Sequence, residues 1–270
     1  MTKRRIGIAV EYIVLTIVSV ISLFPLFWML MSATNKSTDV LAGRILPGQK
    51  LIENMGNLLK TANVGQAMMN SFKYSVLTTV GSVLICSIAG YAFEVYYTKS
   101  KNMVFNLLLI SMMIPFAATM IPLYTLFGKL NLLNKTLGFA LPSLSTVLLI
   151  FLFRQSAQSF PKSIIESARL DGAGELRIFL EFFVPITKHT FTAGITVAFM
   201  SNWNNYLWPL IIMQSPTSRT MPQLISGLTS GYVTDYGMLM LAVSISILPT
   251  VVVFLILQKN FVEGITGAVK

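Results

Sequence analysis

Two stretches of this chain carry side chains capable of chemistry. In the first, Glu166, Arg169, Asp171, Glu175 and Arg177 crowd together around Asp171-Gly172 inside an otherwise apolar sequence. Charges of both signs beside an apolar stripe suit a cleft on another protein, where paired groups fix register and partner choice. In the second, Asn202, Asn204, Asn205 and Tyr206 lie between Trp203 and Trp208. Amides donate to and accept from hydroxyl groups, and aromatic faces cover the C–H side of a hydroxylated ring. An interfacial aromatic belt with interhelical hydrogen bonds is the plainer reading of the same residues.

Other chemistry is not supported. No G-x-x-x-x-G-K-[ST] run is present to cradle phosphates. His189 is the single histidine and stands beside Lys188, which leaves no triad and no metal-ligand spacing. Cys86, the single cysteine, sits in an apolar run, where a buried inert thiol is expected. Glu11 and Glu94 fall near the ends of apolar runs. Mid-span carboxylates of the kind that couple carriers to proton gradients are therefore missing.

These residues are carried by a chain of 270 residues that is 54% hydrophobic and only 11% charged. Soluble domains average about 25% charged residues, so the expected solvent is a bilayer. The net charge of +10 is scattered between apolar runs with no basic, aromatic-interleaved face, and nucleic acid is not expected as a partner. Lys3-Arg4-Arg5 precedes an apolar run too long for a signal peptide, which reads as a retained first span.

Charge-free intervals at 12–35, 74–93, 102–128, 136–153, 189–218 and 236–258 predict six membrane helices, spanning about 12–35, 70–97, 102–127, 137–154, 187–213 and 236–258. Pro25, Pro115, Pro122, Pro142, Pro209 and Pro249 fall inside them, as packed membrane helices allow. Lys3, Arg4, Arg5, Lys99, Lys101, Arg154, Lys162, Arg169, Arg177, Lys188, Lys259 and Lys270 concentrate on one set of connections, which predicts cytoplasmic N- and C-termini. Residues 155–186 then form a cytoplasmic loop. Ser163 and Glu166 suggest a capping box, with Ile164, Ile165 and Ala168 on one side of a short helix. Asp171-Gly172 suggests a turn with positive φ at the glycine. Leu176, Phe179, Leu180 and Phe183 recur at helical spacing, and Pro185 is expected to end that second helix.

Glu166-Ser167-Ala168 through Asp171-Gly172-Ala173 to Val184-Pro185 resembles the EAA loop of ABC importer permeases. Asn70-Ser71-Phe72, Ala89-Gly90-Tyr91-Ala92-Phe93, Met112-Met113-Ile114-Pro115, Ile121-Pro122-Leu123-Tyr124, Trp203 to Pro209 and the tail Phe261 to Lys270 extend the likeness over nearly the whole chain. They point to the carbohydrate branch, and within it to the second permease subunit of maltose-type importers. Ser167, Val184 and His189 depart from the family pattern without touching the docking assignment.

The resemblance implies an all-α, polytopic membrane protein with six transmembrane helices and the type I ABC importer permease fold, one domain over 1–270. It implies a coupling helix in which Glu166, Ser167, Ala168, Asp171, Gly172, Ala173 and Pro185 meet a cytoplasmic ATPase. It implies import of a sugar or oligosaccharide through a path shared with a homologous second permease. Two ATPase subunits and an extracytoplasmic solute-binding protein complete the expected complex. Asn202, Asn204, Asn205 and Tyr206 are the expected path residues: on a continuous helix Asn202, Asn205 and Tyr206 share a face toward the pore or the partner permease, with Trp203 pointing elsewhere. No cofactor or metal is expected on this chain, ATP and Mg being held by the ATPase, and the chain itself is not expected to be an enzyme. The expected location is a bacterial or archaeal cytoplasmic membrane. An ion-gradient-driven carrier and a non-sugar ABC permease are the alternatives.

Overall fold

The computed structural model describes the backbone of residues 2–231 and 233–267, with side chains over 7–231 and 233–258. Lys3, Arg4, Arg5, Lys259 and the tail from Phe261 to Lys270 lie outside the described side chains. Among the described residues all regular structure is helical. In chain order the helices are α1 (Thr2–Ser32), α2 (Ser37–Leu41), α3 (Leu51–Thr61), α4 (Val64–Val95), α5 (Lys99–Ser111), α6 (Phe116–Lys129), α7 (Thr136–Ala140) and α8 (Val147–Gln158). They continue with α9 (Lys162–Leu170), α10 (Glu175–Ile178), α11 (Val184–Ile186), α12 (Lys188–Trp203), α13 (Leu207–Ile212), α14 (Met221–Leu228) and α15 (Tyr236–Gly267).

Gly7–Ser32, Val64–Val95 and Tyr236–Gln258 are each long and apolar enough to cross a membrane. Two further segments pass only as bent pairs: Lys99–Ser111 with Phe116–Lys129, turned by 100°, and Thr136–Ser143 with Val147–Gln158, turned by 50°. The first bend falls at Pro115, which lacks an N–H and pushes Ile114 away from the helical region. The segment expected as one fifth span is also divided, with Asn204 to Tyr206 outside any helix. Pro209 explains that break, because its ring conflicts with the carbonyl four residues back, at Asn205. Pro25 and Pro249, by contrast, lie within unbroken helices.

The chain divides into two compact units, Met1–Val64 with Leu224–Leu248, and Gly65–Gln223 with Pro249–Lys270. The smaller unit is tied by amides. Asn54 Nδ2 donates to the carbonyls of Ala33 and Asn35, both at 2.9 Å. Asn35 Nδ2 donates to Met31 and Leu46 carbonyls at 2.9 and 3.0 Å. Asp235 caps α15 by accepting from Met238 N at 3.2 Å, and it also accepts from the Ser37 hydroxyl at 2.8 Å.

In the larger unit α4 and α8 approach backbone to backbone at Gly90. A Cβ there would lie 2.7 Å from Arg154 N and 2.8 Å from the Ile150 carbonyl oxygen, so only glycine permits the contact. One turn along, Arg154 departs from the expected loop charge: its side chain is buried. The guanidinium stacks on Phe105 at 4.2 Å, donates to Asn102 Oδ1 at 2.9 Å and pairs with Glu94 at 3.3 Å. A guanidinium this enclosed must be paired to offset desolvation, and these partners knot α4, α5 and α8 together.

Candidate functional site

The charged island is a packed structure. Ile165 and Ala168 of α9 join Tyr91, Ala157, Phe160, Ile178, Phe179 and Phe183 in one buried cluster. Phe183 is its centre, with ring contacts to Tyr91 at 4.8 Å, Phe160 at 5.5 Å and Phe179 at 5.6 Å. Burying an aromatic side chain of this size contributes about 1.5–3 kcal/mol, so the island is held on its support from below.

The turn is closed by backbone. Gly172 has φ +80°. Its N–H donates to the Arg169 carbonyl at 3.0 Å, and Ala173 N–H donates to the Ala168 carbonyl at 2.9 Å. This pair of bonds is a Schellman C-terminus, completed by Ala168 and Ala173 packing into the same cluster. Arg169 Nε donates to Glu175 Oε1 at 2.7 Å across the turn. The Glu175 carboxyl is held below its ordinary pKa, first by that guanidinium and second by the Tyr96 hydroxyl.

Three local expectations are corrected. Lys162 is already helical and Pro161 is the N-cap residue, so Ser163 lies inside α9 and no capping box forms. Phe179 and Phe183 are buried, but Leu176 and Leu180 are 68% and 52% exposed. Leu180 lies within a π-helical turn over Phe179–Phe183, which shifts the phase of the face there, whereas Leu176 precedes it in the single α turn of α10. That same widened turn relieves the conflict between Pro185 and the Glu181 carbonyl, so Pro185 lies inside α11 instead of ending the helix.

Of the residues expected to meet an ATPase, Glu166, Ser167, Asp171, Gly172 and Pro185 are exposed and Ala173 is half-buried. Ala168 is buried, one turn from Ile165 on the packed side of α9, so it supports the island from beneath. Among the described residues Glu166 and Asp171 form no ion pair, and Leu170 beside them is 89% exposed. A cavity of about 240 Å³ opens under α9 between Glu94, Tyr97, Lys162, Glu166 and Arg169.

The second site lies where two helical segments are interrupted. Chain between Leu141–Ser143, a 3₁₀ turn, and the start of α8 meets chain between α12 and α13. Around this meeting a cavity of about 500 Å³ is lined by Phe116, Ser143, Thr146, Ser201, Asn204 to Tyr206 and Trp208. An adjoining one of about 280 Å³ shares Ser143, Thr146, Ser201 and Asn205 and adds Ser82 and Asn202. Exposed backbone inside a membrane protein is stable where it lines such a cavity.

The sequence-predicted residues gather here by a route other than a shared helical face. Because α12 ends at Trp203, Asn204, Asn205 and Tyr206 do not continue its periodicity. Asn204 Nδ2 donates to the Met200 carbonyl at 3.0 Å, and Asn202 Nδ2 to the Ala198 carbonyl at 2.8 Å. Asn205 Oδ1 accepts from Trp208 N at 3.4 Å, which caps α13. Trp203 is buried against Phe199, and the Trp208 indole N–H is fixed to the Gly138 carbonyl at 3.1 Å. Ser143, Thr146 and Ser201 were missed by sequence reasoning. Pro142 and Pro209 were the available signal, as breakers inside apolar runs.

Cys86 is buried, its thiol 3.6 Å from the Leu144 and Thr146 carbonyl oxygens at the first break. His189 is half-buried. Among the described residues no group of three or more His, Cys, Asp or Glu side chains could hold a metal ion.

Comparison with known proteins agrees with this architecture. The model of the binding-protein-dependent transport system inner membrane component family matches residues 88–267, and the chain belongs to that family. It is 37% identical to the lactose transport system permease protein LacG of Rhizobium radiobacter, over 99% of this chain and 98% of that protein. It is 35% identical to the arabinooligosaccharides transport system permease protein AraQ of Bacillus subtilis, over 98% and 96%. The sn-glycerol-3-phosphate transport system permease protein UgpE of Yersinia pestis is 29% identical over the full length of both. A crystal structure of a bacterial ABC transporter involved in the import of the acidic polysaccharide alginate matches with a TM-score of 0.82, covering 97% of this chain and 98% of that chain at 22% identity. That likeness shows the fold, the all-α type I ABC importer permease fold. The chain is thus a multi-pass membrane transport permease.

Proposed function

We propose that this chain is one of two homologous permease subunits that together enclose the path of an ATP-driven sugar or oligosaccharide importer. A solute-binding protein outside the membrane delivers the sugar. Two ATPase subunits inside bind ATP and Mg and grip the island at Glu166, Asp171 and Gly172. Six crossings with both termini in the cytoplasm follow, placing the island beside the ATPases and the cavity within the membrane.

The observation that carries this reading is the cavity at the two breaks. Helix interruptions at membrane depth are where transporters place their substrate sites, and Asn202, Asn204, Asn205 and Tyr206 supply amides and a ring suited to sugar hydroxyls and C–H faces. The full-length likeness to lactose and arabinooligosaccharide permeases supports the same substrate class.

Uptake of radiolabelled sugar by cells expressing the whole complex tests it. Inactivating the ATPase should abolish uptake, while an uncoupler that spares ATP should leave it intact. Loss with the uncoupler alone would identify an ion-gradient carrier and overturn the proposal.

A further inference from the structure

We propose that the cavity at the two breaks is a sugar subsite on this subunit itself, and that it selects neutral sugars against phosphorylated or uronic ones. The inference rests on the importer reading above and narrows its substrate class.

No residue lining either cavity is charged. The contrast within the same unit is sharp, since the cavity under α9 gathers Glu94, Lys162, Glu166 and Arg169. A phosphate or carboxylate moved from water into the neutral cavity would keep its charge without a cation, which is strongly unfavourable. A neutral sugar loses only hydroxyl hydration, which hydroxyl and amide groups replace.

The polar groups present are of mixed polarity. The Ser143 and Ser201 hydroxyls make no hydrogen bond within the protein among the described residues, although the Thr192 and Thr196 hydroxyls on the same helix as Ser201 bond back to carbonyls one turn earlier, at 3.0 and 2.8 Å. The Asn204 amide uses its nitrogen on Met200, which leaves its carbonyl oxygen as an acceptor. Asn205 uses its oxygen on Trp208 N, which leaves its nitrogen as a donor. A sugar hydroxyl both donates and accepts, so it satisfies either neighbour. An anionic oxygen only accepts, so it meets the Asn204 oxygen unfavourably, and the serine hydroxyls and Asn205 nitrogen that can donate to it bring no compensating charge. Phe116 and Tyr206 supply aromatic faces for the apolar side of the ring. The larger cavity, at about 500 Å³, falls within the roughly 300–1,000 Å³ of small-molecule sites.

The test is protection of an introduced thiol. Ser201→Cys and, separately, Ser143→Cys are made in the intact complex of both permeases and the ATPases, held in lipid nanodiscs. The binding protein is left out so that its own selectivity does not filter the ligands. Native Cys86 is buried and sets the background, and Ser230→Cys is the exposed control. Maleimide labelling is followed with and without ATP, in the presence of lactose, an arabinotriose, glycerol 3-phosphate or a diuronate.

Neutral sugars should slow labelling at 201 and 143, by about fivefold at roughly four times their Kd since only empty sites react, and should leave 230 unchanged. The anions should slow neither. Equal protection by glycerol 3-phosphate or the diuronate would overturn the selectivity. Absence of protection by any sugar in either nucleotide state, while the complete system still takes up sugar, would remove the subsite from this subunit and leave the importer reading standing. Failure of that complete system to take up any sugar would instead sink the importer reading and this inference with it.

Discussion

The island around Gly172 and the cavity around Asn205 are built in opposite ways from the same apolar chain. The island presents free charge outward and is held from beneath by apolar packing, with Phe183 wholly buried and Leu170 almost wholly exposed. The cavity presents neutral polar groups inward and is held by hydrogen bonds that repair broken helices, at Trp208 to Gly138 and Asn205 to Trp208. Charge is affordable where water or a protein partner receives it, and neutral polarity is what a low-dielectric path tolerates. The docking and sugar-binding roles proposed for these two regions therefore fall in chemically separate places, and each can be perturbed alone.

Removing the island's support should have the largest effect. Phe183→Ala deletes a buried aromatic in contact with Tyr91, Phe160 and Phe179 and should cost about 3–5 kcal/mol. Thermal stability of the purified complex should fall and its yield with it. A variant that assembles normally would show that the island does not depend on this cluster.

The ion pair above the island gives a comparable effect of different origin. Arg154→Met leaves Glu94 half-enclosed and unpaired and should cost about 3–5 kcal/mol, whereas adding Glu94→Gln should recover much of the loss. Equal stability of the single and double variants would show that the pair is not coupled.

A smaller effect is expected at Gly172. A Cβ there meets no atom within 4 Å, so its φ of +80° is the obstacle within this chain. Gly172→Val should cost about 1–2 kcal/mol and reduce ATPase co-purification, while Gly172→Asn, which tolerates this conformation, should be nearly normal. If both variants lose the ATPase equally, the glycine is required by close approach of the partner instead of by the turn.

In the cavity, Asn205→Ala removes one neutral hydrogen-bonding group, worth about 0.5–1.5 kcal/mol. The apparent KM for sugar should rise roughly two- to tenfold with complex yield unchanged. Loss of yield with normal KM would assign Asn205 to capping α13 alone. The least effect should come from Arg169→Gln, which breaks an exposed pair with Glu175 worth about 0.2–1 kcal/mol. Stability should barely move, and raised salt should mimic the change.

Much of the membrane architecture was legible because apolar length is a one-dimensional property. A run such as Gly7–Ser32 or Tyr236–Gln258 announces a helix long enough to span, whatever surrounds it. The turn at Gly172 was legible for a similar reason, since a positive φ after Asp171 is a local demand that glycine meets. The divided segments were only half legible. Prolines marked Pro115, Pro142 and Pro209 as places of strain, but Pro25 and Pro249 lie in unbroken helices. Whether a lost hydrogen bond becomes a break depends on what neighbouring chain offers in its place.

Three features belonged to the tertiary structure. Arg154 reads in sequence like any basic residue at a span end, and only the approach of α4 at Gly90 and the ring of Phe105 turn it into a buried knot. The phase at Leu180 was shifted by a π turn, which no spacing rule at 3.6 residues anticipates. Ser143 and Ser201 look like ordinary small residues of membrane helices and share a cavity only because two interruptions meet in space. Periodicity and composition fix what a segment does alone; burial and the pairing of distant breaks are properties of packing, in which groups far apart in the chain complete one another.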